Sequence, residues 1–338
     1  MLKLLEPAAG RNYAAILPSA GDGDLGALDR RAVEAAFRRH GALLLRGFRL
    51  ELDAFSAFTR QFCGRFVRNE SGRRARVSAD GATQTVNIGR QAFPLHPELS
   101  RVPWRPDIAW FACASPPSHG GETLLCDGVA VVARLDPRIR AAVEGRGLLY
   151  REETPPAAFA DLLGVGDPSP ALLERLSQTA PFRFERNGGR IFRSFVRPFL
   201  HRPLFTDDLA FGNFLLFARY MLNARGYPTF EDGSLIPDAL CEALGRAAAE
   251  RTVAHRWQAG DILMIDNSRF MHGRNEVTDL EERVIWTQFG YARFAPPERV
   301  AAEPWRSCDD PRVAFFGVGA VEAIAQASRP SRTTRPAS

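Results

Sequence analysis

Residues 262–274 read ILMIDNSRFMHGR. The first five, Ile262–Asp266, form an apolar run of strand length, and a polar segment typical of a turn then leads to His272. Gly260 and Asp261, just before this run, are typical of a hairpin turn from an earlier strand. Further segments share the strand pattern: residues 42–48, 108–113, 123–126, 252–257 and 283–294. The sequence therefore predicts a core made of β-strands.

Helical spacing of apolar residues occurs between these strands. It predicts helices at residues 29–40, 52–66 (with Asp53 as N-cap), 208–224 and 237–251, and a mostly helical stretch at about 130–250. Strands on both sides of such an insertion suggest a mainly β, α+β fold: an antiparallel sandwich or jelly roll with helices packed outside. We expect one domain over residues 1–325, with the helical insertion at about 130–250, and a disordered tail at 326–338.

Composition narrows the class of protein. The chain has 338 residues, of which 45% are hydrophobic and 25% charged, as is usual for a globular protein. No apolar run approaches the ~18 residues that a membrane-spanning helix needs, and the N-terminus does not resemble a secretory signal, so we expect a cytoplasmic protein without a membrane partner. Five scattered cysteines argue against a disulfide framework or a structural zinc site.

The basic charge is spread out. The net charge of +5 comes almost entirely from arginine, and its densest cluster, at residues 73–76, is interpreted as a solvated part of a mobile loop at 68–84. The sequence therefore does not predict a nucleic-acid partner.

Four elements could carry chemistry. His96 and Glu98 are two residues apart, so on an extended segment both project from the same face and could bind one metal ion. His272 follows an apolar strand, Arg283 lies eleven residues later, and a Gly-Gly-Glu-Thr segment occupies residues 120–123. Each element alone is more simply explained as an ordinary structural residue or turn.

In this order, however, the four elements together resemble the taurine dioxygenase-like family of Fe(II)/2-oxoglutarate-dependent oxygenases. The resemblance extends over roughly residues 40–295 and implies a double-stranded β-helix, which is a jelly roll. Two histidines and one carboxylate leave open positions on non-haem Fe(II). The resemblance implies that 2-oxoglutarate and O2 fill these positions, and that decarboxylation to succinate is coupled to the oxidation of an unactivated C–H bond.

The resemblance also implies a role for each matching residue. His96, Glu98 and His272 would be the iron ligands. Arg283 would bind the distal carboxylate of 2-oxoglutarate, for which its planar bidentate donor is suited, and the Thr123 hydroxyl would bond the same co-substrate.

Two positions bear on the reaction. Glu98 keeps the carboxylate that halogenases of the family replace by a small residue, which favours hydroxylation or desaturation over halogenation. Thr287 stands where members that process sulfonates tend to carry a second arginine, which argues against such a substrate. We therefore expect the oxidation of an aliphatic carbon of an amino acid or an amino-acid-derived intermediate, free or tethered to a carrier protein, in natural product biosynthesis.

The residues that would contact this small-molecule substrate are less clearly marked. Asn87 and Gln91 precede His96 on what we interpret as the same extended segment. Trp286 is a candidate pocket wall, and Arg193 and Arg197 are candidates for an anionic substrate site under the helical insertion. Two other functions remain open: a catabolic sulfonate or aryloxyalkanoate dioxygenase of the same family, and a non-catalytic metal-binding jelly roll.

Overall fold

The computed structural model describes residues 3–8, 13–19, 23–69, 71, 73–179, 181–278 and 283–302. The predicted tail at 326–338 lies outside these ranges, and a single domain over 1–325 stays a prediction. Within the described ranges, no helix combines the length and the apolar character needed to cross a bilayer.

The larger of two central sheets combines strands from both ends of the described chain. Its order is β1-β2-β15-β6-β17-β3, with β4 also pairing with β17. The strands are β1 (Ala15–Pro18), β2 (Ala42–Arg46), β3 (Cys63–Val67), β4 (Gln84–Thr85), β6 (Ile108–Ser115), β15 (Ile262–Asp266) and β17 (Val284–Ala292). All five residues of β15 are buried because apolar groups cover both faces of the sheet.

A four-stranded sheet lies against the larger one. Its order is β14-β7-β16-β5, all antiparallel, with β5 (Phe93–His96), β7 (Thr123–Asp127), β14 (Thr252–His255) and β16 (Phe270–Arg274). Leu125 and Phe270 from this sheet share one apolar cluster with Phe111, Leu263 and Phe289 from the larger sheet. The two sheets therefore pack face to face across a hydrophobic core.

Two helices cover the outer face of the larger sheet. Helix α1 (Arg30–His40) begins at Asp29, whose side chain accepts from the Arg31 N–H, and ends at Gly41 in a left-handed conformation. Helix α2 (Leu52–Phe62) packs Phe58 and Phe62 on Trp110. The ring centroids of Phe58 and Phe62 lie 5.9 Å and 5.7 Å from that of Trp110, and 5.1 Å from each other. The strand β3 begins where α2 ends, so the predicted helix at 52–66 is too long, and Glu51 rather than Asp53 occupies the N-cap position.

The insertion differs from the helical one predicted. It contains helices α3 (Gly128–Val132), α4 (Pro137–Val143), α5 (Pro156–Leu163), α6 (Pro170–Thr179), α7 (Leu215–Tyr220) and α8 (Asp238–Glu250). A further helix, α9 (Pro297–Ala301), lies outside the insertion, near the end of the described chain. It also contains strands β8 (Gly147–Glu153), β9 (Arg183–Asn187), β10 (Arg190–Pro198), β11 (Leu200–His201), β12 (Ala210–Phe211) and β13 (Thr229–Phe230). Four of these strands form a separate sheet in the order β13-β8-β10-β9.

Two local predictions at the ends of the insertion are wrong. Only Leu215–Tyr220 of the predicted helix at 208–224 is helical. The turn at Gly260 and Asp261 does not close a hairpin, because β14 pairs with β7 in one sheet whereas β15 pairs with β2 and β6 in the other. His272, expected after a strand, lies within one, β16.

Gly273 lets β5 approach β16 closely. A Cβ atom at this position would lie 2.6 Å from the carbonyl oxygen of Phe93, well inside van der Waals contact. The absence of a side chain at Gly273 therefore allows the pairing that sets His272 opposite His96.

We expect Gly273→Ala to destabilise the fold by about 1–3 kcal/mol, because the added methyl group forces the two strands apart. Gly166→Ala is the matched control, since a Cβ atom there meets nothing within 4 Å. The free energy of unfolding in urea measures both. Equal midpoints for the two variants would show that the strands do not need this close approach.

Candidate metal centre and co-substrate pocket

Strand pairing brings the predicted metal ligands together. His272 on β16 is the register partner of His96 on β5, and their ring centroids are 4.7 Å apart. Glu98 follows two residues after His96, and its Oε2 lies 3.7 Å from Nε2 of His272. One ligand atom from each of the three residues lies within 4.8 Å of the other two. Such a spacing allows all three to bind a single cation.

The imidazoles are oriented for metal binding. Nδ1 of His96 lies 2.8 Å from the carbonyl oxygen of Pro94, which leaves Nε2 for a metal ion. Burial, followed by the neighbouring His272, lowers the pKa of His96 to about 4, so its ring is neutral near pH 7, as a ligand must be. Nδ1 of His272 is buried without a hydrogen-bond partner among the described residues. Two imidazoles and one carboxylate are a donor set that fits Fe(II).

Hydrogen bonds hold both the side chain and the main chain of Glu98. Its carboxylate accepts from Nδ2 of Asn69 at Oε1 and from Nη2 of Arg74, 3.1 Å away, at Oε2. Burial alone would raise the pKa of Glu98, but Arg74 and His272 hold it well below its usual range. Its main chain is bound by Asn267, whose Oδ1 accepts from the Glu98 N–H at 2.7 Å and whose Nδ2 donates to the Glu98 carbonyl at 3.0 Å. The acid is therefore ionised and fixed in position.

A cavity extends from the two histidines to a half-buried arginine, Arg283. Burial lowers the pKa of Arg283 to about 10, so the guanidinium stays charged at neutral pH, and its Nε has no hydrogen-bond partner among the described residues. Gly121 makes room for it, since a Cβ atom there would lie 3.0 Å from that Nε. The residues that line the cavity are Arg74, Val86, Asn87, Phe93, His96, Phe111, Thr123, His272, Gly273, Arg274 and Arg283.

Thr123 faces the same cavity. Its hydroxyl accepts a hydrogen bond from Nε1 of Trp257 at 3.1 Å, which leaves the hydroxyl proton free to donate to a ligand. Arg274, by contrast, has both terminal nitrogens occupied by the protein itself, because Nη1 donates to the carbonyl of Asn87 and Nη2 to those of Gly89 and Gln91 at 2.7–2.8 Å. Only its Nε has no partner among the described residues. Arg283 and Thr123 thus both line the cavity with a donor that the described residues leave unused.

Of the residues predicted to contact the substrate, Asn87 alone is among those that line this cavity in the described part of the chain. Asn87 lines it, but from a loop rather than a strand, and its Oδ1 accepts from Nε of Arg74 at 3.1 Å. Gln91 is exposed and contributes its carbonyl to Arg274. Trp286 is not a pocket wall, because it points to the other face of the larger sheet and packs beside Phe55 of α2.

The two arginines predicted under the insertion also lie elsewhere. Arg193 pairs with Glu152 at 3.1 Å on the sheet of the insertion. Arg197 donates to the carbonyls of Val102 and Pro103, beside a different cavity. Neither lines the cavity that contains the histidines.

Sequence reasoning missed Asn69 and Arg74. Arg74 belongs to the basic cluster interpreted as a solvated loop, yet its side chain is only 6% exposed. Asn267 was interpreted as a turn residue, and its side chain also fixes the main chain of Glu98. The only signal was the position of these polar residues near the ligand motifs, since their partners are far away in sequence.

Comparison with known proteins identifies the family. A sequence model of the taurine catabolism dioxygenase TauD, TfdA family matches residues 12–287. This chain therefore belongs to that family, and it is an Fe(II)/2-oxoglutarate-dependent dioxygenase.

Individual relatives are distant but extend over most of the chain. A clavaminate synthase-like protein of Arabidopsis thaliana is 24% identical over 295 residues, 80% of this chain and 83% of its own. An alpha-ketoglutarate-dependent sulfate ester dioxygenase of Pseudomonas putida is 24% identical over 286 residues, 83% of this chain and 87% of its own. The structure of PvcB from Pseudomonas aeruginosa has a TM-score of 0.56 at 17% identity and covers 87% of this chain and 92% of its own.

We expect Asn267→Ala to destabilise the protein by about 1–3 kcal/mol and to weaken Fe(II) binding, because it leaves buried main-chain groups of Glu98 and Pro106 unpaired. Asn275→Ala is the control, since Asn275 is only half-buried and bonds the side chain of Glu122. Thermal unfolding and anaerobic Fe(II) titration measure the two effects. Wild-type iron affinity in Asn267→Ala would mean that metal binding by Glu98 does not depend on its hydrogen bonds to Asn267.

Proposed function

We propose that this protein hydroxylates or desaturates an aliphatic carbon of an amino acid or an amino-acid-derived intermediate, with Fe(II) held by His96, Glu98 and His272. The observation that carries the proposal is the convergence of these three ligands within 4.8 Å at one end of a cavity that Arg283 also lines. A non-catalytic metal-binding protein would have no need of the half-buried Arg283. We therefore favour an enzyme over that alternative.

The order of the strands supports a double-stranded β-helix. From β4 to β7 the chain crosses between the two sheets at every strand, and from β14 to β17 it does so again. The six-strand insertion separates the two halves. We infer that the two facing sheets form the jelly roll that the sequence predicts, with the ligands on β5 and β16 or, for Glu98, just after β5.

The far end of the cavity fits 2-oxoglutarate. Arg283 offers a charged fork for its distal carboxylate, and Thr123 offers a hydroxyl donor beside it. Fe(II), 2-oxoglutarate and O2, when bound together, supply the oxidant for the C–H bond. The protein itself orients the co-substrate and holds Glu98 and the two histidines close enough together to bind one metal ion.

One observation supports the type of reaction and another supports the class of substrate. The carboxylate at Glu98 is retained, which favours hydroxylation or desaturation over halogenation. The relatives include a clavaminate synthase-like protein and PvcB, an Fe, alpha-ketoglutarate dependent oxygenase from an isonitrile synthetic pathway. These names agree with a role in natural product biosynthesis, on a small molecule that is free or tethered to a carrier protein.

A catabolic dioxygenase is the second candidate, because a sulfate ester dioxygenase is among the relatives. Thr287 argues against it. This residue stands four positions after Arg283, is buried, and donates its hydroxyl to the carbonyl of Trp110 at 2.8 Å. No second cation is therefore supplied from this position. Release of sulfite or sulfate from organosulfur compounds, measured beside oxidation of amino acids, separates the two functions.

We expect His272→Ala to abolish the visible charge-transfer band that wild-type protein develops with Fe(II) and 2-oxoglutarate without oxygen, because one of three ligands is lost. His119→Ala is the control, since His119 is exposed. Absorbance titration and succinate release measure the effect. A band of wild-type intensity in His272→Ala would remove this residue from the ligand set.

We expect Arg283→Gln to weaken the binding of 2-oxoglutarate about 10- to 100-fold, because a charge-assisted bidentate bond to a carboxylate is lost. Arg293→Gln removes the same charge from an exposed position just after β17 and should leave the affinity unchanged. Anaerobic titration of the charge-transfer band gives both dissociation constants. Equal values for the two variants would assign the distal carboxylate to another residue.

A further inference from the structure

Arg74 is a buried cation beside the metal centre with unused hydrogen-bonding capacity. Its side chain is 6% exposed and lines the same cavity as His96 and His272. The guanidinium lies over the ring of Phe289, 5.2 Å from its centroid, so its edges rather than its face are available for polar contacts. A buried arginine in this position requires partners for all of its donors.

Only part of that requirement is met. Nε of Arg74 donates to Oδ1 of Asn87 at 3.1 Å, and Nη2 donates to Oε2 of Glu98 at 3.1 Å. Nη1 is buried and has no acceptor among the described residues. An unpaired donor on a buried charged group is costly, so an acceptor from a ligand would complete the site.

The balance of charges in the site with Fe(II) and 2-oxoglutarate bound also favours an anionic ligand. The charges of Fe(II) and Arg283 are balanced by those of Glu98 and the two carboxylates of 2-oxoglutarate. Arg274 distributes its charge over three main-chain carbonyls. Arg74 and Arg274 then leave the cavity lining in the described part of the chain with a net positive charge, because the Glu98 charge that Arg74 contacts is already counted against Fe(II). In a low-dielectric pocket, this excess attracts an anion.

We propose that Arg74 binds the anionic oxygen group of the primary substrate through Nη1, so that the substrate is anchored next to the iron. This inference rests on the proposed function and makes it more specific. With an amino-acid substrate, the group is a free carboxylate, so the substrate enters as an acid and not as the thioester of a carrier protein. Asn87, which holds Nε, is the positioning residue for this contact.

Binding without turnover tests the proposal. Anaerobic protein loaded with Fe(II) and 2-oxoglutarate is titrated with the twenty proteinogenic amino acids, with their primary carboxamides, and with taurine and a short alkyl sulfate, by calorimetry and by the shift of the visible band. We expect at least one anion to bind and its neutral carboxamide to bind about tenfold or more weakly. In Arg74→Gln this preference for the anion should disappear, while the affinity for 2-oxoglutarate stays within about twofold.

Three variants separate substrate binding from a structural role. Arg73→Gln removes a charge from an exposed position of the same segment and should keep the preference. Asn69→Ala loses the other contact to the Glu98 carboxylate and should also keep it. Arg74→Lys retains the charge with a single donor group and should give an intermediate preference, which guards against a folding defect in Arg74→Gln.

Each outcome of these titrations either supports or overturns a stated part of the proposal. Anion and carboxamide binding equally, no compound binding, or a preference that survives in Arg74→Gln would overturn the role of Arg74. Binding of taurine or the alkyl sulfate alone, lost in Arg74→Gln, would keep that role and overturn the amino-acid substrate. Failure of wild-type protein to form the charge-transfer band would overturn the proposed function and the inference built on it.

Discussion

The antiparallel register of β5 against β16 is the constraint on which the metal centre depends. Because side chains alternate between the two faces of a strand, a slip of one residue would turn His96 or His272 away from the other. Gly273 allows the strands to pair this closely, and Asn267 ties the main chain of Glu98 to the turn that precedes β16. The geometry of the two histidines is thus a property of the strand pairing, to which Asn267 couples the carboxylate.

Burial and neighbouring charges together give the same centre its electrostatic character. Burial keeps His96 neutral, and Arg74 and His272 keep Glu98 ionised although burial opposes it, which are the forms that a metal ion requires of these two residues. Arg74 contacts the ionised acid from one side, and Arg283 lines the same cavity as a separate positive group. The two arginines therefore differ in their surroundings, although they carry the same charge.

The elements that could be predicted from the sequence are those with a local apolar pattern and the residues that match a known motif. The apolar runs identified most strands of the two central sheets, and the motif order selected His96, Glu98, His272, Thr123 and Arg283, which the structure brings to one region. The strands of the insertion were missed because β8, β9 and β10 each carry three charged residues, whereas β11, β12 and β13 are only two residues long. Arg74 was missed because its burial comes from β17 and from Glu98, and no local pattern distinguishes it from its exposed neighbour Arg73.

Asn69 and Arg74 reach Glu98 from the connection between β3 and β4, whereas both histidines belong to paired strands. The connection that would choose the molecule to be oxidised therefore also supplies two of the groups that hold the carboxylate ligand. Duplicated copies of such a gene can diverge in this connection around Asn69 and Arg74 while both histidines are inherited intact. For the same reason, a protein engineer who wants a new specificity would randomise residues 75–83 and 86–87, which lie outside β4, and leave Asn69, Arg74 and the two sheets alone.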